Sequence, residues 1–178
     1  MTDHHDHDAP VETMWEGKFV SAKRKGKWEY VSRTRGIKAA VILATIDGDV
    51  LLVEQFRTPL DRNCIELPAG LIGDDNPDED PLAAAGRELE EETGYRAETL
   101  INAGEYFSSP GMVSEAFTLV RATNLVKIHD GGGVDGEDIT VHRVAMSDVP
   151  AFIAAKRKEG CAIDVRVLLL PGMIGYDD

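Results

Sequence analysis

Three glutamates in one short segment are the residues of this chain best placed to do chemistry. Glu88, Glu91 and Glu92 lie in the stretch GRELEEETGY at positions 86–95. On a helix, the spacing i, i+3, i+4 puts their carboxylates on one face. Because like charges so placed repel each other, a cation should balance them, either a bound divalent metal ion or an arginine such as Arg87. A solvated acidic face is the alternative, so the surrounding sequence must decide.

The residues that flank the glutamates predict a well-anchored helix. Asp80 can accept hydrogen bonds from the first N–H groups of the helix, and Pro81 suits the first helical position. Gly94 is a matching stop signal. An apolar stripe would hold this helix against a sheet, and its members are Leu82, Ala85 and Leu89. The three acids would therefore be held in place.

The rest of the chain alternates between strands and helices without a regular βαβ rhythm. Two strands are predicted at 14–22 and 27–34, and a central hairpin turns at Asp47 and Gly48. A strand at 64–67 leads into a turn at 68–70. Strands are expected near 97–107, 115–122 and 138–145, a helix from a Ser147 cap to about 158, and a last helix starting near 162 or 164. This order predicts an α/β class fold with a mixed (α+β) sheet between helices.

Composition and charge exclude several classes of function. The 178 residues, 43% of them hydrophobic, can build one compact core, and the net charge of −13 argues against a nucleic-acid partner. No apolar run is long enough to span a membrane and no secretion signal opens the chain, so we expect no membrane partner and a cytoplasmic location. Cys64 and Cys161 are expected as reduced thiols, and residues 1–13, rich in His and Asp, as a disordered tail.

The segment from Gly73 to Tyr95 resembles the Nudix box, GX5EX7REUXEEXGU, where U is a bulky apolar residue. The matching positions are Gly73, Glu79, Arg87, Glu88, Leu89, Glu91, Glu92, Gly94 and Tyr95. This resemblance implies a Nudix α/β/α sandwich that cleaves a diphosphate bond. It also implies that Glu88 and Glu92 ligate Mg²⁺, for which Mn²⁺ could substitute, with Glu91 as a shared or water-mediated ligand.

Two further segments resemble the ADP-ribose and ADP-sugar pyrophosphatase branch of that family. CIELPAGLI at 64–72 contains Ala69, whose backbone carbonyl would contact a metal ion, and the glycine after it leaves room for close approach. SSPG at 108–111 places Pro110 at the proline-bearing turn of that branch, where it would contact substrate. A Pro-Gly pair alone would indicate only a turn, so its weight comes from its position.

The catalytic base implied by this resemblance is Glu137. It lies in VDGEDITV at 134–141, after a Gly-rich stretch whose flexibility suits a residue that swings in when substrate binds. An exposed loop acid is the alternative interpretation. Glu91 and Glu115 are the other candidates for the base.

The N-terminal strand pair, expected as an antiparallel extension of two to three strands at residues 14–36, would belong to the same resemblance, ahead of a catalytic domain at 37–178. In relatives this pair exchanges across a homodimer, and two aromatic side chains from different subunits sandwich the adenine. The matching positions are Phe19 and Trp28, although ordinary strand packing could also explain them. Other positions that match substrate contacts are Glu29, Arg33, Arg57 and Glu66.

The reaction implied is metal-dependent hydrolysis of ADP-ribose to AMP and ribose 5-phosphate. Metal ions would neutralise the diphosphate and activate a water molecule, and Glu137 would take its proton. A hydrolase for another nucleoside diphosphate sugar, such as GDP-mannose, remains an alternative. So does a Nudix-fold protein that binds nucleotides without cutting them, although a binder has no need for all three glutamates.

Overall fold

A computed structural model describes residues 4–34, 36–73, 79–134 and 136–170 of the chain. An antiparallel three-stranded sheet comes first, with β1 at Val11–Glu16, β2 at Val20–Lys25 and β3 at Trp28–Arg33. This sheet confirms the predicted extension of two to three antiparallel strands, although the extension begins before residue 14 and its first turn divides the strand predicted at 14–22. A 3-10 helix occupies His4–His7, and residues 11–13 belong to β1 because they pair with β2. Residues 1–3 of the expected tail lie outside the described residues.

The second sheet has eight strands and forms the centre of the fold. Its strands are β4 Lys38–Ile46, β5 Asp49–Arg57, β6 Arg62–Glu66, β7 Ala69–Ile72, β8 Tyr95–Phe107, β9 Ala116–Lys127, β10 Thr140–Ala145 and β11 Ala162–Ile163. The main order is β11-β6-β5-β4-β9-β8, and β10 and β7 add to β5 and β4. The pairs β4–β9 and β6–β11 are parallel and the others antiparallel, so the predicted mixed sheet is confirmed.

Helices cover both faces of this sheet, which confirms the predicted α/β/α sandwich. Helix α1 spans Pro81–Thr93 and α2 spans Val149–Lys158, followed by a 3-10 helix at Val165–Leu169. Strand β4 alternates between the two cores because successive side chains point to opposite faces. Ala40 and Ile42 pack with Leu89 of α1, whereas Val41 and Leu43 pack in the core that holds α2.

The local signals around α1 and the central hairpin are confirmed. Asp80 caps α1 by accepting a hydrogen bond from the Leu82 N–H at 2.7 Å, and Gly94 ends the helix with a φ of 75°. Asp47 and Gly48 both have positive φ, 52° and 84°, as a two-residue hairpin turn requires.

Three other boundaries differ from the sequence-based predictions. Residues 69 and 70 belong to β7, because they pair with β4, and are not a turn. Ser147 lies in a 3-10 turn, and α2 begins after it at Val149 without a side-chain cap. The expected last helix is a short 3-10 helix, whose first turn Asp164 caps. Both cysteines are free thiols. Among the described residues, no helix is long and apolar enough to cross a membrane.

Candidate functional site

The three glutamates of α1 lie at one cavity of about 820 Å³ between α1, the central sheet and the C-terminal segment. The cavity brings together most of the residues singled out in the sequence. These are Arg33, Arg57, Glu66, Ala69, Glu88, Glu91, Glu92 and Glu137. A separate cavity of about 510 Å³ beside the Asp47–Gly48 turn is lined by none of them. The first cavity is therefore the candidate site.

Four predicted substrate-binding residues lie outside this cavity. Phe19, Trp28 and Glu29 are exposed on the N-terminal sheet, and Pro110 is exposed in the turn between β8 and β9. A single chain thus does not bring them to the carboxylates. Their predicted role depends on a second subunit or on movement, and it stays a prediction.

Glu92 is the buried acid of the α1 group, with 5% of its surface exposed. Burial raises the pKa of Glu92 to about 8, and the nearby charges of Glu88 and Glu137 add to the rise. The Ala69 N–H, which donates to Glu92 Oε2 at 3.1 Å, and Arg57 act in the opposite direction. Burial also raises the pKa of Glu88. The site thus holds more negative charge than its surroundings balance.

Glu88 and Glu91 share one arginine. Arg87 Nη1 lies 3.0 Å from a carboxylate oxygen of Glu88 and 3.1 Å from one of Glu91. Arg87 Nε also lies 3.6 Å from Glu79, so this arginine joins α1 to the end of the preceding loop. The arginine alternative raised by the sequence is therefore realised for two of the three acids, while Glu92 has no such partner among the described residues.

Gly70 gives Glu88 its place at the cavity. A Cβ atom on residue 70 would overlap the Cγ and carboxyl atoms of Glu88. Ala69 and Gly70 thus act together, because one donates its N–H to Glu92 and the other leaves space for Glu88. The sequence predicted that Gly70 leaves room for a close approach, and the group that approaches it is the Glu88 side chain.

The loop that carries Glu137 is docked on the C-terminal end of α1. Gly132 N–H donates to Glu92 O at 2.9 Å, and Gly133 N–H donates to Glu91 O at 3.0 Å. These bonds satisfy carbonyls that a helix end leaves without partners. The Glu137 carboxylate accepts the Val134 N–H at 3.1 Å, so it is held within its own loop.

Ion pairs order the arginines on the opposite walls. Arg57 donates to both carboxylate oxygens of Glu66, at 2.6 and 2.7 Å, and Glu66 is only 2% exposed. Arg33 forms an ion pair with Glu115, one of the two other candidates for the catalytic base. Two-point arginine–carboxylate pairs hold a guanidinium in one orientation.

Among the lining residues that the sequence did not predict are Phe117, Asp164 and Arg166. Phe117 is the second residue of β9, whereas Asp164 and Arg166 come just after the two-residue strand β11. An isolated strand of that length leaves no periodic signal, so nothing in the local sequence placed Asp164 or Arg166 at the cavity.

A divalent cation fits the donor chemistry of this site. Mg²⁺ and Mn²⁺ prefer carboxylate and carbonyl oxygens, and the raised pKa values of Glu88 and Glu92 indicate negative charge that a bound cation would stabilise. Within the described part of the chain, no three His, Cys, Asp or Glu side chains already form a metal-ligating cluster. Two of the carboxylates, those of Glu88 and Glu91, are paired with Arg87 instead.

The NUDIX domain sequence pattern matches residues 34–159, which include α1, the Glu137 loop and most of the central sheet. The chain belongs to the Nudix family. The match covers the whole box, from Gly73 to Tyr95, and ends before Asp164 and Arg166. The three strands of the N-terminal sheet lie outside it.

Named relatives and a solved Nudix-like structure resemble the chain over much of its length. The ADP-ribose pyrophosphatase of Bacillus subtilis (strain 168) is 33% identical over 118 residues, 66% of this chain and 62% of that protein. The methanol dehydrogenase activator of Bacillus methanolicus is 34% identical over 119 residues, 66% of this chain and 63% of that protein. Both alignments thus span less than two thirds of the relatives' length. The crystal structure of an ADP compounds hydrolase, 20% identical, superposes with a TM-score of 0.65 over 82% of this chain and 80% of that one, which supports the fold.

Proposed function

We propose that this Nudix protein hydrolyses the diphosphate of a nucleoside diphosphate sugar, with ADP-ribose as its substrate and AMP and ribose 5-phosphate as its products. The observation that carries the proposal is the cavity itself, which the buried Glu92, the half-buried Glu88 and the exposed Glu137 line together with the ordered guanidinium of Arg57. The acids would repel each other less with a bound cation, and an arginine beside them can bind phosphate oxygens. Together, such groups suit a diphosphate. The name of the Bacillus subtilis relative supports the choice of ADP-ribose.

In this proposal, Mg²⁺, or Mn²⁺ in its place, binds at Glu88, Glu92, the Ala69 carbonyl and, directly or through water, Glu91. When bound, the cation supplies Lewis-acid stabilisation of phosphate charge and lowers the pKa of a coordinated water. Glu88 and Glu91 would release Arg87 to serve as ligands, and Gly70 leaves the space that the Glu88 side chain occupies beside Ala69. The metal identity and these roles are expectations for experiment.

The other residues would bind substrate and move a proton. Glu137 accepts the proton of the attacking water, and its loop, anchored to α1 through Gly132 and Gly133, holds it near Glu88 and Glu92. Arg57, oriented by Glu66, binds a phosphate oxygen.

The remaining predicted contacts belong to a homodimer with exchanged N-terminal strands. In that assembly Phe19 and Trp28 of different subunits would hold the adenine, and Glu29, Arg33 and Pro110 would complete the nucleoside site. No membrane or nucleic-acid partner is proposed, and the cytoplasm is the location we propose from the sequence alone.

A substrate panel tests the proposed function. Purified protein is assayed with Mg²⁺ against ADP-ribose, ADP-glucose, GDP-mannose and other nucleotides, and products are identified by chromatography. We expect ADP-ribose to give AMP and ribose 5-phosphate with the highest kcat/KM. If GDP-mannose is hydrolysed with a higher kcat/KM than ADP-ribose, GDP-mannose becomes the proposed substrate. Tight binding of ADP-ribose without any cleavage would instead support a nucleotide-binding protein.

Two substitutions test the residue roles within the same assay. Glu92→Gln should nearly abolish turnover and its metal dependence. Glu137→Gln should lower kcat by about 100-fold or more, as loss of a general base does, and should leave metal binding intact. Glu90→Gln on the same helix is the matched control, because Glu90 pairs with Arg96 at the surface. An unchanged rate for Glu137→Gln would move the base to another residue.

A further inference from the structure

The wall of the cavity opposite α1 is built by residues 162–166, which lie beyond the Nudix match. Strand β11 pairs in parallel with β6, so that Ala162 faces Cys64 and Ile163 faces Ile65. The Asp164 N–H then donates to Ile65 O at 3.0 Å. This pairing brings the start of the last 3-10 helix beside Glu66, the residue that follows Ile65 on β6. The segment is thus fixed against the substrate-binding side of the sheet.

Arg166 projects from this segment with its guanidinium held on three sides. Its Nε donates to Asp164 Oδ1 at 2.8 Å, and its Nη2 pairs with the other oxygen of the same carboxylate. Nη2 also lies 3.8 Å from Glu66 Oε2, and the guanidinium carbon lies 5.5 Å from the Phe117 ring centre. In the described ranges of the chain, no group bonds to Nη1. An oriented guanidinium therefore presents unused donors at the cavity.

Arg57 and Arg166 meet at one carboxylate. Arg57 binds both oxygens of Glu66, and Arg166 approaches one of these oxygens from the other side. Two guanidiniums this close repel each other, and the carboxylates of Glu66 and Asp164 balance them. A simple anchor for the C-terminal segment would need one of them, and it would not need to line the cavity. A pair of fixed cations with donors directed at an open cavity is instead suited to an anion with several oxygens.

We propose that Arg166 is a second phosphate-binding residue, which together with Arg57 contacts the non-bridging oxygens of the substrate's diphosphate. This inference rests on the proposed function, because it assigns the substrate of that same cavity. The diphosphate then lies between the acids of α1 on one wall and two arginines on the other. In this proposal Arg166 strengthens binding of the diphosphate, so that the site prefers a nucleoside diphosphate to a nucleoside without phosphates.

The test compares the binding of ADP and adenosine to the full chain with Mg²⁺ present, by calorimetry, for wild type, Arg166→Met and Arg166→Lys. Loss of charged hydrogen bonds should weaken ADP binding on the order of 10- to 100-fold in Arg166→Met, whereas adenosine binding should stay within about twofold. Arg166→Lys should fall between, because it keeps the charge but loses two-point contact. Arg96→Met, which removes a surface arginine paired with Glu90, should bind both ligands as wild type does.

The kinetic readout separates binding from structural roles. In ADP-ribose hydrolysis, Arg166→Met should raise KM more than it lowers kcat, with a thermal unfolding curve that still shows one cooperative transition. Should Arg166→Met fail to fold, Arg166→Lys carries the test by itself. Wild-type affinity for ADP in a folded Arg166 variant would overturn the inference, and so would equal weakening of ADP and adenosine. If the wild type binds ADP through Arg166 but cleaves no nucleoside diphosphate sugar, the proposed function fails and the inference stands.

Discussion

Glu92 and Glu66 are both buried acids of the cavity, yet their surroundings differ. Glu66 is neutralised by two hydrogen bonds from Arg57. Glu92 receives one backbone N–H, from Ala69, and no lysine or arginine forms an ion pair with it in the described part of the chain. A carboxylate removed from water without a counter-charge favours its protonated form, and for this reason its pKa rises to about 8. Ionised Glu92 thus lowers the stability of the folded chain, as expected of the metal ligand proposed above.

The first residue-scale prediction concerns the stability of Glu92→Gln without metal. Because the folded-state pKa of Glu92, about 8, exceeds the ordinary pKa of a glutamate, 4.5, folding favours the protonated acid. Its contribution to stability is fully present below pH 4.5 and is lost as the pH rises towards 8. Glutamine cannot ionise, so the variant should be more stable than wild type at pH 8.5, by on the order of a few kcal/mol. The difference should shrink at pH 5.

Thermal unfolding in EDTA at the two pH values measures this effect. Glu90→Gln is the control, since the pKa of Glu90 is lowered by its hydrogen bonds with Arg96 and this substitution should not gain stability at pH 8.5. A Glu92→Gln variant less stable than wild type at pH 8.5 would show that Glu92 is ionised and balanced in the folded protein. Added Mg²⁺ should narrow the gap, because metal binding favours the ionised wild-type acid.

At the scale of elements, the end of α1 and the Glu137 loop form one unit. Besides the bonds from Gly132 and Gly133, the two segments touch where Gly94 and Gly131 approach the opposing backbone. A Cβ atom on Gly131 would overlap Thr93 and the Glu92 carbonyl. The helix that carries the proposed metal ligands therefore also positions the loop that carries the proposed base.

Gly131→Ala should separate these two segments. Gly131 has a φ of 73° and no room for a methyl group, so alanine should push the loop away and displace Glu137. We expect kcat for ADP-ribose to fall by about tenfold or more, as partial loss of a general base would cause, with little change in metal affinity. Gly160→Ala is matched for backbone strain, with a φ of 94° and open space around it, and should retain kcat. Equal activity of the two variants would mean that the docking does not position Glu137.

Elements with strong local signals could be predicted from the sequence, and those that depend on pairing could not. Asp80, Pro81 and Gly94 determine the bounds of α1 through their own backbone chemistry, and Asp47 with Gly48 determines the central turn. Strand β1 and the two-residue β11 exist because β2 and β6 offer them hydrogen bonds. Their place follows from contacts between residues distant in the chain.

The same distinction applies to the candidate site. The α1 acids, Ala69, Arg57 and Glu66 were predicted, and the structure gathers them at one cavity. Arg166 was missed because its position requires the parallel pairing of residues about 100 apart. The docking of the Glu137 loop was missed for a similar reason, since it depends on backbone N–H groups, which the sequence does not distinguish. Side-chain chemistry could be inferred, but the contacts that orient it required the fold.

At the scale of the whole molecule, the N-terminal sheet is attached through β3 and has an exposed apolar surface. Val31 N–H donates to Met112 O and Val31 O accepts the Ser114 N–H, each at 2.9 Å, which joins β3 to the turn before β9. The sheet otherwise exposes large apolar side chains, among them Trp15 at 59% and Trp28 at 57%. A small three-stranded sheet with such groups on its surface resembles one side of a protein interface more than a solvent-facing element.

Trp15→Glu tests whether that surface joins two copies of the chain. We expect the wild type to sediment as a homodimer at about 10 μM, a concentration at which interfaces of standard size remain occupied. A charge in the middle of the apolar surface should shift the variant to the monomer mass. Val126→Glu is the control, because Val126 is half exposed near the far end of β9 and should leave the mass unchanged.

Trp15→Glu also tests whether adenine binding depends on the homodimer. If adenine binds between Phe19 of one subunit and Trp28 of the other, the monomeric Trp15→Glu variant should lose affinity for ADP-ribose while its unfolding temperature stays near that of the wild type. Analytical ultracentrifugation and KM measurements at matched concentrations check both parts. A wild type that is monomeric at 10 μM and still hydrolyses ADP-ribose with a low KM would contradict the shared adenine site, because the exposed Phe19 and Trp28 would then have no second subunit to complete it.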